Sequence, residues 1–418
     1  MDTQVKVSII IPVYNGAEFL RRSFDSALYQ TLPEVEVIAV NDCSPDPRDA
    51  EIMCQYEKLY PGKFRALFHD TNMRQGGARN TGIKSAGGEY FLCVDQDDYI
   101  DLLMCEKMYN KAKADNADLV LCGYGIHYNG KVKHKVPNVE VENAKAPDRY
   151  KHLDCNAVWT LLVKTRFIIN NELYFPYGTT SDDAITFLWY LAAEKIARVG
   201  ETFYHWCYNP ASASIASDYK HFLSHSEPFE TFLNYPFWSK VSENDRKNLS
   251  YAVIKFFSKL FIFYVWNRQI EQAKLLDIWD HNKRVFKKLD LSKESETLIS
   301  LISDKITSQD LSKELFQLLV FDDAGKRLNN RVTIFGCGVR GKRLAEYLES
   351  IKVPFEITDS DPEQYGMTIC NKIVKPWNEL KESTDLVIVS PFAALEDIKK
   401  IIHTSNIDVI DFDDLLGI

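Results

Sequence analysis

At 418 residues the chain exceeds what one ordinary hydrophobic core organises, so two or three domains are expected. Its 45% hydrophobic and 12% aromatic residues exclude a disordered chain. A net charge of −9 with no dense Lys/Arg run argues against a nucleic-acid groove, which needs a local basic stripe to offset phosphates.

The opening run, MDTQVKVSIIIPVYN, lacks a basic stretch, apolar core and small-residue cleavage site in that order, so no secretion signal is expected. Val5–Ile11 and Val35–Val40 are apolar and rich in β-branched residues, the pattern of parallel strands buried on both faces. Between them Leu20, Phe24, Ala27 and Leu28 recur at helical spacing, with Asn15 and Glu18 as a capping pair. Arg65–Phe68, Tyr90–Val94 and Leu119–Cys122 supply further strands. Strands alternating with helices imply a doubly wound α/β sheet over residues 1–217. From 218 to 328 helical periodicity takes over, with Phe256, Leu260, Phe263 and Tyr264 on one stripe and Leu298, Leu301, Ile302 and Ile306 on another. The aromatic run Tyr251–Trp266 carries Lys255 and Lys259 and is too short to span a bilayer. It reads as a core helix, with peripheral membrane contact the lesser reading. The α/β pattern restarts over 329–418 as a small Rossmann-like domain.

The nine cysteines include no CxxC pair, so neither a zinc site nor a disulfide framework is signalled. Reduced thiols in a cytoplasmic protein are expected.

Parallel α/β sheets bind ligands beyond the carboxyl ends of their strands. Four polar clusters fall at such ends: Pro12-Val13-Tyr14-Asn15; Asn41-Asp42-Cys43-Ser44; Asn72 with Gly76-Gly77-Ala78-Arg79-Asn80; and Asp95-Gln96-Asp97-Asp98. One polar strand end is routine turn chemistry, but four within the first hundred residues are not. A nucleotide diphosphate leaving group gathers negative charge as its bond to a sugar breaks. A divalent cation, Mg²⁺ or Mn²⁺, offsets that charge and needs only one or two Asp oxygens. The glycines allow close backbone approach, and Arg79 offers its planar fork to a phosphate or to a neighbouring carboxylate.

The runs VSIIIPVYNGAEFLRRSFDSALYQT, EVIAVNDCSPD and NMRQGGARNTGIKSAGGEYFLCVDQDD closely resemble the family-2 inverting glycosyltransferases with the GT-A fold. The resemblance implies Pro12, Tyr14 and Asp42 at the nucleotide base, Asp95 near the ribose, Asp97 on the metal and Asp98 in support. Asn15, Asn72, Gly77 and Arg79 complete the expected donor site. More thinly, Trp159, Lys164, Phe175-Pro176-Tyr177-Gly178 and Ser181-Asp182-Asp183 stand where family members carry a Trp, a Lys, a Phe-Pro-x-Gly and a Glu-Asp pair whose Asp is the general base. Asp182 aligns with that base, and Ser181 in the Glu position leaves Asp183 as the alternative. Ser181 also reads as the N-cap of a helix through Ala184–Leu188. His205 reads first as a packed side chain.

Gly336-Cys337-Gly338-Val339-Arg340-Gly341 follows the strand VTIF and opens a helix, and Asp359 ends the next strand at the separation of a ribose-binding acid. Three readings stand: a scaffold or oligomerisation domain, a nucleotide sensor, and an oxidoreductase. The expected partners are a nucleotide-sugar donor and a glycan or lipid-linked acceptor. The alternative to an enzyme is a nucleotide-sugar-binding protein without turnover. Oligomeric state is open, a homodimer included.

Overall fold

The computed structural model describes residues 4–128, 130–136, 157–176, 183–209, 227–267, 272–306, 331–350, 352–391, 394–402 and 407–411. The chain divides into two compact units: Met1–Ala252 with His281–Ser292, and Val253–Asp280 with Lys293–Ile418.

The first unit alternates β1 (Val7–Val13), α1 (Leu20–Leu28), β2 (Val35–Asn41), α2 (Pro47–Leu59), β3 (Phe64–Phe68), α3 (Arg74–Ser85), β4 (Tyr90–Cys93), β5 (Tyr99–Ile100) and α4 (Met104–Asp115). It continues through β6 (Leu119–Tyr128), β7 (Lys131–Lys135), β8 (Leu161–Lys164), α5 (Thr165–Asn171), α6 (Asp183–Ala192) and β9 (Ile196–Cys207). The strands form one sheet in the order β3-β2-β1-β4-β8-β6-β9-β5, with β7 against β6. The first four are parallel, and β8 then enters antiparallel to both β4 and β6. The sheet is therefore mixed. Every residue of β1 and β2 is buried, as expected of strands covered on both faces. Leu20, Phe24, Ala27 and Leu28 of α1 fill one face with Val7, Ile9, Ile11, Val37 and Ala39. On the other, α3 lies so close that a Cβ at Gly82 would stand 2.3 Å from Ile10.

The expected capping pair does not form. Asn15 takes a left-handed φ of 53°, α1 starts only at Leu20, and its N-cap Phe19 makes no side-chain cap. The turn closes instead through Phe19 N–H donating to the Gly16 carbonyl at 2.8 Å.

Three helices follow: α7 (Glu243–Asn267), α8 (Gln272–Phe286) and α9 (Lys293–Ile306). The buried line of α7 runs through Val253, Phe257 and Phe261, each fully buried, while Phe256 is only partly covered. These three form an i, i+4 row, and the side chains of Leu260, Phe263 and Tyr264 lie outside the described residues. Among the described residues no helix is long and apolar enough to cross a membrane.

In the second unit, β10 (Val332–Phe335), α10 (Val339–Ser350), β11 (Phe355–Thr358), a small hairpin of β12 (Thr368–Ile369) and β13 (Lys372–Ile373), α11 (Trp377–Leu380), β14 (Leu386–Val389), α12 (Leu395–Ile402) and β15 (Asp408–Asp411) build a parallel sheet ordered β11-β10-β14-β15. Two glycines of its loop are required by packing. A Cβ at Gly341 would sit 1.9 Å from the Gly336 carbonyl oxygen, and Gly336, at φ +113°, lies against Ser390 and Pro391. At Gly338 a Cβ would meet open space.

The eight described cysteines are all free thiols.

Candidate active site

Register brings the strand ends together. Val13 lies beside Asn41 in β2, and Ile10 beside Cys93 in β4. Asp42, Tyr14 and Asp95 therefore emerge from three adjacent strands, within roughly 10 Å across the sheet.

Asp42 is almost fully buried. Its Oδ1 accepts from the Met73 backbone N–H at 2.8 Å and faces His69 Nδ1 at 2.7 Å, and His69 Nε2 meets the Thr81 hydroxyl at 2.8 Å. This chain fixes the carboxylate, and its Oδ2 takes no hydrogen bond from the described residues. At the end of β1, Tyr14 is 45% exposed, open to stack on a flat group. Its backbone is held by Gln96, whose Oε1 accepts from Tyr14 N–H at 2.8 Å and whose Nε2 donates to the Tyr14 carbonyl at 2.8 Å. A Cβ at Gly16 would strike Gln96 at 2.3 Å, so the glycine after Asn15 makes room for this clamp. Asn15 donates its backbone N–H to Ser44 Oγ, and Pro12 lies within fully buried β1.

Asp95 Oδ1 accepts from Arg79 Nη2 at 2.8 Å and from Gln75 Nε2 at 2.9 Å. Arg79 is 1% exposed, with its guanidinium carbon 5.3 Å from the centre of the Phe175 ring. Of its two predicted partners, the structure shows the neighbouring carboxylate. Gly77 faces inward, where a Cβ would stand 2.4 Å from Met73 Cβ. Its lack of a Cβ is thus required by the packing of its own helix turn. Asn72 is exposed and accepts from Arg74 N–H at 3.1 Å.

The two remaining acids diverge. Asp97 is partly exposed, with Oδ2 accepting from Asn209 Nδ2 at 2.9 Å and its carbonyl from Arg22, which also lies over the Tyr99 ring. Burial raises its pKa, the Asp95 charge adds to the rise, and the Asn209 hydrogen bond works against it. Asp98 is 1% exposed, and both its oxygens are engaged, by the Tyr204 hydroxyl at 2.7 Å and the Cys207 N–H at 2.7 Å. It turns into the protein and braces Tyr204, which also accepts from Asp95 N–H and stacks on Trp159. The expected supporting metal ligand is thus directed away from the strand-end surface. Burial, then the charges of Asp95 and Asp97, hold its pKa well above the ordinary 3.8. A raised folded-state pKa lends stability that is complete below the ordinary value and is lost as pH climbs through the raised one. Asp98→Asn, neutral at every pH, is therefore expected to flatten the fall of unfolding free energy from about pH 4 upward; denaturant titrations at several pH values read this directly, and parallel curves for the two proteins would refute it.

Among the described residues no three His, Cys, Asp or Glu side chains converge as a metal cage. Asp97 fits a hard cation. Its partly buried carboxylate is costly to ionise, and a cation would offset that cost, with diphosphate oxygens and water completing the shell.

Other expected residues fall elsewhere. Lys164 pairs with Tyr90 at the start of β4, the opposite end of the sheet, and reaches Asp118 at 3.7 Å. His205 is packed, its ring stacked 4.4 Å from Tyr99 and bonded to His127 at 2.9 Å. Ser181 and Asp182 lie outside the described residues, and Asp183 opens α6. In the second unit Asp359 turns back on its own loop, accepting from Cys337 N–H at 2.7 Å and Asp361 N–H at 3.0 Å.

Residues 8–171 match the sequence model of the family described as Glycosyl transferase family 2. The chain is 31% identical over 219 residues to the uncharacterized glycosyltransferase EpsJ of Bacillus subtilis, covering 49% of this chain and 62% of that protein. It is 33% identical over 207 residues to the poly(ribitol-phosphate) beta-glucosyltransferase of Bacillus spizizenii, covering 46% of this chain and 31% of that one. The chain thus spans 62% and 31% of the length of these two relatives. The crystal structure of S. aureus TarS 1–349 in complex with UDP-GlcNAc superposes with a TM-score of 0.56 at 20% identity, covering 75% of this chain and 91% of that one. Sheet order, strand-end acids and family match agree: residues 8–171 match glycosyltransferase family 2, and the sheet of the first unit has the GT-A fold.

Proposed function

We propose that this protein transfers a sugar from a nucleotide-diphosphate donor, a uridine diphosphate sugar foremost, to a hydroxyl of a glycan or lipid-linked acceptor, inverting the anomeric centre. The observation that carries this reading is the convergence of Asp42, Tyr14, Asp95 and Asp97 at three adjacent strand ends. The UDP-GlcNAc bound by TarS and the glucosyl transfer named for the Bacillus spizizenii relative support the donor class.

Tyr14 and Asp42 would hold the base, and Asp95, fixed by Arg79, the ribose. Asp97 would hold Mg²⁺ or Mn²⁺, which supplies neutralisation of the departing diphosphate. Asp182, or Asp183 beside it, would take the proton from the acceptor hydroxyl as that oxygen attacks the anomeric carbon. For the second unit we favour a scaffold or oligomerisation role, because the Asp359 carboxylate already closes its own glycine loop.

The test is turnover. With Mn²⁺ and a panel of uridine diphosphate sugars, release of the nucleoside diphosphate is expected to rise on adding a glycan acceptor. A protein that binds these donors and releases nothing with any acceptor would be a binding protein instead.

A further inference from the structure

A buried carboxylate is costly unless hydrogen bonds take up its charge. Asp49, in the first turn of α2, is fully buried. Its two oxygens accept from the Gly16 N–H at 3.2 and 3.1 Å, and Oδ2 also accepts from the Ser44 hydroxyl at 2.7 Å. Gly16 lies in the turn after β1 and Ser44 in the turn after β2, so one side chain joins the two turns. The helix N-terminus that carries it favours the negative charge.

Ser44 extends the junction. Its hydroxyl gives its proton to Asp49 and accepts from Asn15 N–H at 2.9 Å and Asp46 N–H at 3.3 Å. Its backbone N–H donates to Asn41 Oδ1 at 2.8 Å. The proton and both lone pairs of the hydroxyl are thereby used. The residues just past Tyr14 and Asp42 are Asn15 and Cys43, at left-handed φ of 53° and 57°. Non-glycine residues keep such conformations where the surrounding contacts over-determine them. The Asp49–Ser44 junction supplies contacts of that kind to both turns. Gln96 ties Tyr14 to the end of β4, and Asp49 ties the same turn to the end of β2.

We propose that Asp49 is a positioning residue for the donor: by joining the two turns it sets the separation between the Tyr14 ring and the Asp42 carboxylate, and with it the width of the slot for the nucleotide base. This rests on the reading of the β1 and β2 ends as the base site. Asp49 is sealed from any ligand and acts only through the turns it joins. The base stands away from the bond that breaks, so a loosened slot weakens ground and transition states alike, which raises KM and spares kcat.

The test separates affinity from turnover. Asp49→Asn keeps the size of the side chain, but both oxygens lie against the Gly16 N–H, so an amide nitrogen must face that donor whichever way it turns. The dissociation constant for uridine diphosphate, read by calorimetry, is expected to rise about tenfold, with kcat at saturating donor changed less than about threefold. Ser44→Ala removes the bridging hydroxyl alone and covers the case in which Asp49→Asn does not fold. It is expected to show the same affinity-selective loss. A purely structural part for Asp49 would lower the melting temperature and leave the affinity of the folded molecules unchanged. That result in both variants, or kcat falling in step with affinity, would overturn the proposal. The parent protein is the control for the underlying reading. If it binds no uridine diphosphate, the base site lies elsewhere and the proposal falls with it; if it binds and both variants match it, only the positioning role fails.

Discussion

Asp97→Asn is expected to lower transfer by about a hundredfold or more, the scale at which losing a few kcal/mol of charge stabilisation in the transition state is read. The substitution keeps the size of the side chain and exchanges a charged oxygen for an amide. Burial raises the pKa of Asp97, and the nearby Asp95 charge raises it further, so the folded protein bears a cost for holding the carboxylate ionised. Removing the charge relieves that cost. The variant should therefore melt no lower than the parent while losing activity, a pairing typical of a group kept for function against stability. Kinetics over a Mn²⁺ titration, with a melting curve of the same sample, separate the two effects. Full activity would remove Asp97 from the metal role.

The second large effect belongs to the acceptor side. Asp182→Asn is expected to reduce kcat by about a hundred- to ten-thousandfold, the range of general base catalysis, with donor affinity retained. The neighbouring Asp183→Asn is the internal comparison, since the two acids differ by one residue in register. Asp183 opens α6, where a carboxylate also interacts favourably with the helix N-terminus. Its loss is expected to cost a few tenths of a kcal/mol up to about 1 kcal/mol of stability and little turnover. The reverse result, turnover lost in Asp183→Asn and kept in Asp182→Asn, would move the base by one position.

The strand framework was legible because β1, β2 and β4 are continuous apolar runs, and only strands covered on both faces require that. Their acidic ends followed directly, and the glycine loop of the second unit was visible from its spacing. Residues whose partners lie far away in sequence were not legible. Gln96 and Tyr14 are 82 positions apart, and Asn80 and Phe175 are 95 apart, yet each amide makes a paired bond to backbone. No local pattern marks an amide for that task. Arg22 and Asn209, which flank Asp97, were hidden for the same reason. The place of Lys164 was not legible either, because β8 enters antiparallel and carries it to the far end of β4. Asp98 shares a tetrapeptide with Asp97, but the chain turns there and gives one carboxylate to the surface and the other to Tyr204.

The central claim is that a nucleotide-sugar occupies the ends of β1, β2 and β4. The most direct measurement is the melting temperature of the whole chain with uridine diphosphate sugars, with and without Mn²⁺, for the parent and Asp97→Asn. A ligand at a hundred times its dissociation constant adds about 2.7 kcal/mol to the folded state it binds. The account predicts a rise of several degrees with at least one donor, dependent on the metal and much reduced in the variant. If no donor moves the transition with metal present, or the variant shifts as far as the parent, the account of the site is wrong.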